Sequence, residues 1–269
     1  MRRLGKQRVE TLQILRALTF EDYGWRNHPA VAMWRGYAPA LVTYGMAVTA
    51  AWSDAGFADT VGPQLVEFLG DERLRTQQEL RDAGDLPPWV GQRALHRSHQ
   101  AALLRKDPEH YGPLFPALDS EMPYVWPEPT HTDEPLGPIA AWVVRAASDE
   151  VATLLDLGFV GVRPLGDETS DLPIGEGNRN TKRRRQITAL FSEIAPGDRV
   201  VLPAGDVLNL GEVEGEYEWL PAAPFDLQHV RRVRWIRTVH RSDLRRPVHL
   251  QDPRIVFPLR GEPDLRRLS

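Results

Sequence analysis

Glu128-Pro-Thr-His-Thr-Asp-Glu-Pro-Leu-Gly-Pro138 decides how this chain divides. Three prolines, three acids and one aliphatic side chain can neither hold a helix nor bury a core, so residues 128–138 read as a linker. On the N-terminal side, apolar residues recur at helical spacing. On the C-terminal side, short apolar runs rich in valine are punctuated by turns. The pattern predicts two domains: an all-α domain over residues 1–127 and a small, mostly antiparallel α+β barrel or curled sheet over 139–258, followed by a loose charged tail over 259–269.

Working outward from the linker toward the start, Val9, Leu12, Leu15 and Leu18 recur at steps of three and predict an amphipathic helix from Arg3 to Leu18. Pro29 opens a long apolar-rich stretch, Ala30 to Ala55, with Asn27 or His28 just outside it. Pro39 leaves one or two helices open there, and Gly56 supplies the stop. A third helical region is expected from Thr60 to Ala83. Leu86-Pro-Pro-Trp89 is a rigid turn. Gln92 to Arg105 reads as a helix, and Asp107 to Tyr111 as a short one opened by Pro108. Trp25, Trp34 and Trp52 are expected in the core, whereas Trp89, between prolines and a glycine, suits a surface wedge.

Beyond the linker, strands are expected at Ala140–Arg145, Phe159–Val162, Arg199–Leu202 and Val230–Val239. A helix is expected around Asp149–Leu157, and another with a basic start over Thr181–Glu193. Val207–Val213 and Glu216–Leu220 are read as neighbouring paired strands. The glycine-rich loop Gly175-Glu-Gly-Asn-Arg-Asn180 lacks the Gly-Lys-Ser/Thr ending of a phosphate-binding loop and is read as a lid.

The chain has no cysteine, which removes disulfides, thiolate metal sites and cysteine nucleophiles. His96 and His99 stand at helical i, i+3 spacing, but no third ligand accompanies them, so neither metal nor other cofactor is expected. The formal charge of -4 restricts any nucleic-acid surface to a local patch. No apolar run is long enough for a membrane span. The basic start leads into no apolar signal core, so the expected location is the cytoplasm, on the nucleoid when DNA is bound.

Several motifs form one set: Arg3-Leu-Gly-Lys-Gln-Arg-Val-Glu10, Gly24-Trp-Arg-Asn-His-Pro29, Trp34-Arg-Gly-Tyr37, Leu86-Pro-Pro-Trp89, Leu95-His-Arg-Ser-His99 running on to Pro108, and Pro123-Tyr-Val-Trp-Pro127. Together they resemble an actinobacterial family grouped with pyrimidine-dimer DNA glycosylases. The resemblance implies a compact dimer-glycosylase-like helical domain that flips a nucleotide, attacks the sugar C1′ with an amine and cleaves the strand after forming an imine. It implies that Glu10 stabilises the sugar cation, and that Arg3 and His28 line the same site. Arg8, Arg26, Trp89, His96, His99, Arg105 and Lys106 are the further residues expected against DNA. A carboxylate beside a developing sugar cation and a nucleotide drawn out of the stack are chemically coherent.

The nucleophile departs from that pattern. In the resembled class a longer segment separates the N-terminal amine from the glutamate. Here, if residues 3–10 are helical, the amine would lie about 12 Å along the helix axis from Glu10, out of reach unless the start frays. Either the chain starts late or the amine mechanism is lost. Lys6, at i, i+4 from Glu10, offers an alternative imine-forming amine if desolvated, and an ordinary surface ion pair if not.

In the second half, Pro196-Gly-Asp-Arg-Val-Val-Leu-Pro203, Gly211-Glu-Val-Glu-Gly-Glu-Tyr217 and His229-Val-Arg-Arg-Val-Arg-Trp235 resemble small PUA-like and EVE-like barrels. That resemblance implies a modified-base pocket, for which Tyr217, Trp219 and Trp235 are the aromatic candidates. Arg231 and Arg232, with Lys182, Arg183 and Arg184 at a helix start, are candidates for phosphate contact. Two readings follow. One is a glycosylase/AP lyase-like enzyme acting on double-stranded DNA. The other is a non-catalytic reader of modified bases in DNA or RNA. The acidic overall charge keeps a third open, a protein-interaction or small-ligand module.

Overall fold

A computed structural model describes residues 2–132, 137–164 and 187–266, and the chain separates into two compact units, residues 1–134 and 135–269.

The first unit is helical. Helix α1 spans Arg2–Thr19, α2 Pro29–Ala32, α3 Ala38–Asp54, α4 Gly62–Val66, α5 Gln77–Asp82, α6 Arg93–Lys106 and α7 Pro108–Tyr111. Helix α1 packs on α3: Leu12 and Leu15 join Leu41, Val42, Val61 and Leu65 in one cluster. Thr11 is also buried, whereas Val9 is exposed, so the buried stripe is rotated away from the expected start at Val9. The open choice at Pro39 resolves as two helices. Pro39 sits in the first turn of α3, where its missing N–H costs nothing.

The expected single helix over Thr60–Ala83 is instead broken. Asp59 accepts the N–H groups of Val61 and Gly62 at the start of α4. A 3₁₀ turn at Glu67–Leu69 ends at Gly70, which has φ 58°. A separate α5 begins with a reciprocal Thr76–Glu79 cap.

The second unit is one curled six-stranded sheet. Strand β1 spans Ile139–Val144, α8 Val151–Leu157, β2 Phe159–Val162, β3 Arg199–Ala204, β4 Val207–Trp219, β5 His229–His240, β6 Val256–Arg260 and α9 Pro263–Arg266. The order is β2-β5-β4-β3-β1-β6, antiparallel except for the β1–β3 pair. Both faces are covered. Trp142, Val144, Val200 and Val233 pack under Leu190 and Ile194. Ala141, Val143, Val201 and Leu210 pack under Leu244, Leu250 and Leu265. This is why β1 reads as an unbroken apolar run.

Among the described residues the sheet is an open half-barrel with edges at β2 and β6, the curled-sheet alternative and not the closed barrel. Two expectations are corrected here. The two strands expected over 207–220 are a single thirteen-residue strand, β4. Its register slips between Val213 and Tyr217, so an irregularity absorbs Glu214-Gly-Glu216 where a turn was expected, and bends the ribbon. The tail is part of the fold: β6 pairs with β1, Phe257 and Leu259 are buried, and Glu262 accepts the N–H groups of Arg245 and Arg246. Pro258 hid this strand from the sequence, and an edge position is where a strand tolerates proline.

Gly211 sits where β4 crosses Trp235 of β5. A Cβ there would lie 2.9 Å from the Trp235 ring and collide with Val233. Gly211→Ala is expected to destabilise this unit by about 1–3 kcal/mol, read as a lowered denaturation midpoint with an unchanged slope; an unaltered midpoint would show that the crossing is loose.

Candidate functional site

In the first unit, burial of the Leu12–Leu15 face of α1 leaves Arg3, Lys6, Gln7 and Glu10 toward solvent. Lys6 Nζ lies 3.4 Å from Glu10 Oε1, with the lysine side chain 75% exposed and the glutamate 38%. Lys6 is therefore largely hydrated, the geometry of the ion-pair alternative. Two residues not singled out in the sequence complete this patch. The Gln7 amide donates to the Tyr44 hydroxyl, which α3 presents beside α1. Burial raises the Tyr44 pKa and the Glu10 charge adds to it, while the Gln7 hydrogen bond acts against both. Position 7, three residues before Glu10, was the only sequence signal for this pair. Arg3 pairs loosely with Asp107 at 3.9 Å and lies over the Tyr111 ring.

Other residues expected against DNA are engaged locally. Arg8 is largely buried, pairs with Asp59 and lies 4.9 Å over the Trp52 ring. Burial opposes ionisation of Asp59, but the Gly62 and Val61 N–H groups and the Arg8 guanidinium hold its carboxyl below the ordinary range. Arg26 donates to the Phe20 carbonyl. Arg105 donates to the carbonyls of Ser120 and Met122, closing that loop, and Lys106 is exposed. His28 caps α2 by accepting from the Ala30 N–H at 3.1 Å.

The tryptophan assignments change. Trp89 is not a surface wedge: it is buried, meets Trp34 edge-on, and its Nε1 donates to the Met33 carbonyl at 3.0 Å. Trp25 is not in the core. It is 55% exposed at φ 77° and stacks on His28, which meets Trp126 edge-on. Trp52 is half-buried and stacks on Phe57, and Trp34 packs against the helical core. His96 is exposed. His99 is half-buried against Tyr124 and Trp126, and its Nε2 has no hydrogen-bond partner among the described residues. Burial lowers the His99 pKa, helped by the charges of His96 and Lys106.

In the second unit, Tyr217 and Trp219 come together around His229. The Tyr217 hydroxyl lies 2.9 Å from His229 Nδ1, and the Trp219 ring is 4.8 Å from the imidazole. Trp235 does not join them. It packs among Val230, Leu154 and Val233, with Nε1 3.4 Å from the Leu154 carbonyl. Arg231 is 3% exposed and donates to the Leu190 and Gly215 carbonyls, so it is an internal strut and not a phosphate contact. Arg232 pairs with Glu218. Lys182, Arg183, Arg184 and the expected lid at 175–180 lie outside the described residues. Among the described residues, no three His, Asp or Glu are grouped to hold a metal ion, and no helix is long and apolar enough to cross a membrane.

The first 62 residues match a family model described as pyrimidine dimer DNA glycosylase. Residues 165–250 match a domain of unknown function (DUF8426). Each match covers less than half of the chain. No curated protein matches it. The first match contains Glu10 and its neighbours Lys6, Gln7 and Tyr44; the second contains Tyr217, Trp219 and His229.

Trp89→Ala is expected to cost about 3–5 kcal/mol through cavity formation and loss of the indole hydrogen bond, measured by chemical denaturation; a loss near zero would return Trp89 to the surface. With its folded pKa below its unfolded value, His99 contributes stability that is present above about pH 6.5 and declines as the pH falls below it. His99→Gln should reduce the slope of stability against pH between about 6.5 and 5. His249, lowered chiefly by its own burial, keeps a residual slope.

Proposed function

We propose that this protein acts on DNA, its helical unit receiving a damaged or modified nucleotide against the exposed face of α1, with Glu10 as the carboxylate beside the reacting sugar. The match of residues 1–62 to a dimer-glycosylase model is the observation that carries this reading. The arrangement around Glu10 supports it. The carboxylate is partly exposed, it acts on the Tyr44 hydroxyl, and Arg3 stands on the same helix face one turn beyond Lys6. A carboxylate so placed stabilises positive charge developing on a sugar. The nucleophile is an amine, either the α-amine of the chain or Lys6. Lys6 is largely hydrated and paired with Glu10.

The second reading, a non-catalytic reader, is favoured by that same hydration and by the Tyr217–His229–Trp219 group. The Trp219 and Tyr217 rings, set around the buried His229, give a base a stacking surface worth about 1–3 kcal/mol per stacked base. On this reading the second unit is a PUA-like or EVE-like module.

Borohydride trapping on abasic and dimer-containing duplexes separates the two. A covalent adduct lost in Glu10→Gln, with the fold intact by circular dichroism, supports the enzyme. DNA binding without any adduct removes it. For the reader, Trp219→Ala should weaken binding to modified-base oligonucleotides by about tenfold, while Trp235→Ala should chiefly lower stability. Equal affinity for modified and unmodified strands would sink the reader.

A further inference from the structure

The second unit carries a cleft of about 220 Å3 lined by Arg145, Ala146, Ala147, Gly161, Val162, Arg163, Ile187, Leu227 and Ile255. Its position follows from the topology. Arg145 follows β1, and its N–H donates to the carbonyl of Ile255, the residue before β6, at 2.9 Å. Gly161 and Val162 end β2, at the opposite edge of the sheet, and Arg163 follows it. The cleft is therefore the seam across which the curled sheet fails to close.

Its chemistry is two-sided. The walls contributed by Ala146, Val162, Ile187, Leu227 and Ile255 are aliphatic. Two guanidinium groups stand at the lining. Arg145 is held by the Leu250 carbonyl and lies over the Phe257 ring. Arg163 is held by Glu150, whose side chain is 3% exposed and whose other oxygen accepts the Ala147 N–H at 2.9 Å. A carboxylate that deep in a protein is costly unless it is paired. Here it fixes one guanidinium at the cleft while the Arg163 side chain stays 46% exposed. Among the described residues the lining therefore carries two guanidinium groups, one of them paired with Glu150 behind it. At about 30 Å3 per water, the volume holds roughly seven waters, the size of one small ring.

We propose that this cleft binds a small ring-sized organic anion, its carboxylate or phosphate on Arg163 and Arg145 and its ring against Val162, Leu227 and Ile255. An oxyanion matches guanidinium donors in charge and geometry, and an aliphatic slot rewards an apolar or planar body. The oxyanion comes either from a ring carboxylic acid or from the phosphate of a nucleotide. This assignment stands apart from the Glu10 patch and from the Tyr217–Trp219 group, so the failure of either leaves it intact.

Titration calorimetry on the full chain tests it with four probes: benzoate, its neutral isostere benzamide, thymidine 5′-monophosphate and inorganic phosphate. One-to-one binding of benzoate or of the nucleotide is expected, at least about tenfold tighter than benzamide. Benzoate binding alone assigns the ring acid, and nucleotide binding alone assigns the phosphate source. Ala147→Trp, a substitution of an exposed residue at the mouth, should abolish binding. Arg163→Lys, which keeps a cation beside Glu150, should weaken it about tenfold or more. Circular dichroism checks that both variants are folded. The proposal is overturned if neither benzoate nor the nucleotide binds at millimolar concentration, if benzamide or inorganic phosphate binds as well as they do, or if folded Ala147→Trp binds unchanged.

Discussion

The packing of α1 along α3 sets what the helical unit can present. Leu12 and Leu15 are buried against Leu41 and Val42, and because a helix repeats every 3.6 residues, this fixes the outward positions as 3, 6, 7 and 10. Glu10 is therefore held at a rigid surface by a contact in which it takes no part. The same contact brings Tyr44 of α3 alongside, so the hydroxyl and the carboxylate share one small region. A site built this way depends on core residues that never touch a ligand.

Most arginines proposed for phosphate already have work within their own unit. Arg8 supports the start of α4 through Asp59, Arg105 closes the loop at Ser120–Met122, and Arg231 braces β5 against the carbonyl of Leu190. A guanidinium that is itself buried, as those of Arg8 and Arg231 are, must break that pairing before it can meet a phosphate, and a buried charge left behind is expensive. Among the described residues, exposed cations remain at Arg3 and Lys6 on α1, at Lys106, the last residue of α6, and at Arg163 beside the cleft.

In the second unit, the irregular register of β4 against β5 matters most. Slips beside Gly211 and between Val213 and Tyr217 bend a thirteen-residue strand, so the sheet curls without closing. Curling brings the end of β2 toward the ends of β1 and β6 and creates the Arg145–Arg163 cleft. It also separates the aromatic residues. Tyr217 and Trp219 lie beyond the slip with His229, whereas Trp235 faces Leu154.

The sequence by itself determined the helical character of the first half, the start and length of α1, and most strands of the second half. These depend on periodicity, proline and glycine, which act over a few residues. It also contained the motif around Glu10, because that motif lies on one helix face. The tertiary structure decided what depends on distant partners. It buried Trp89 under Met33 and Trp34, exposed Trp25, kept Lys6 in water and turned Arg231 inward. It also drew Val256–Arg260 into the sheet despite Pro258 and joined two expected strands across Gly215. In each case local propensity is the same for either outcome, and the choice is made by the desolvation and hydrogen-bond partners that only a folded chain supplies.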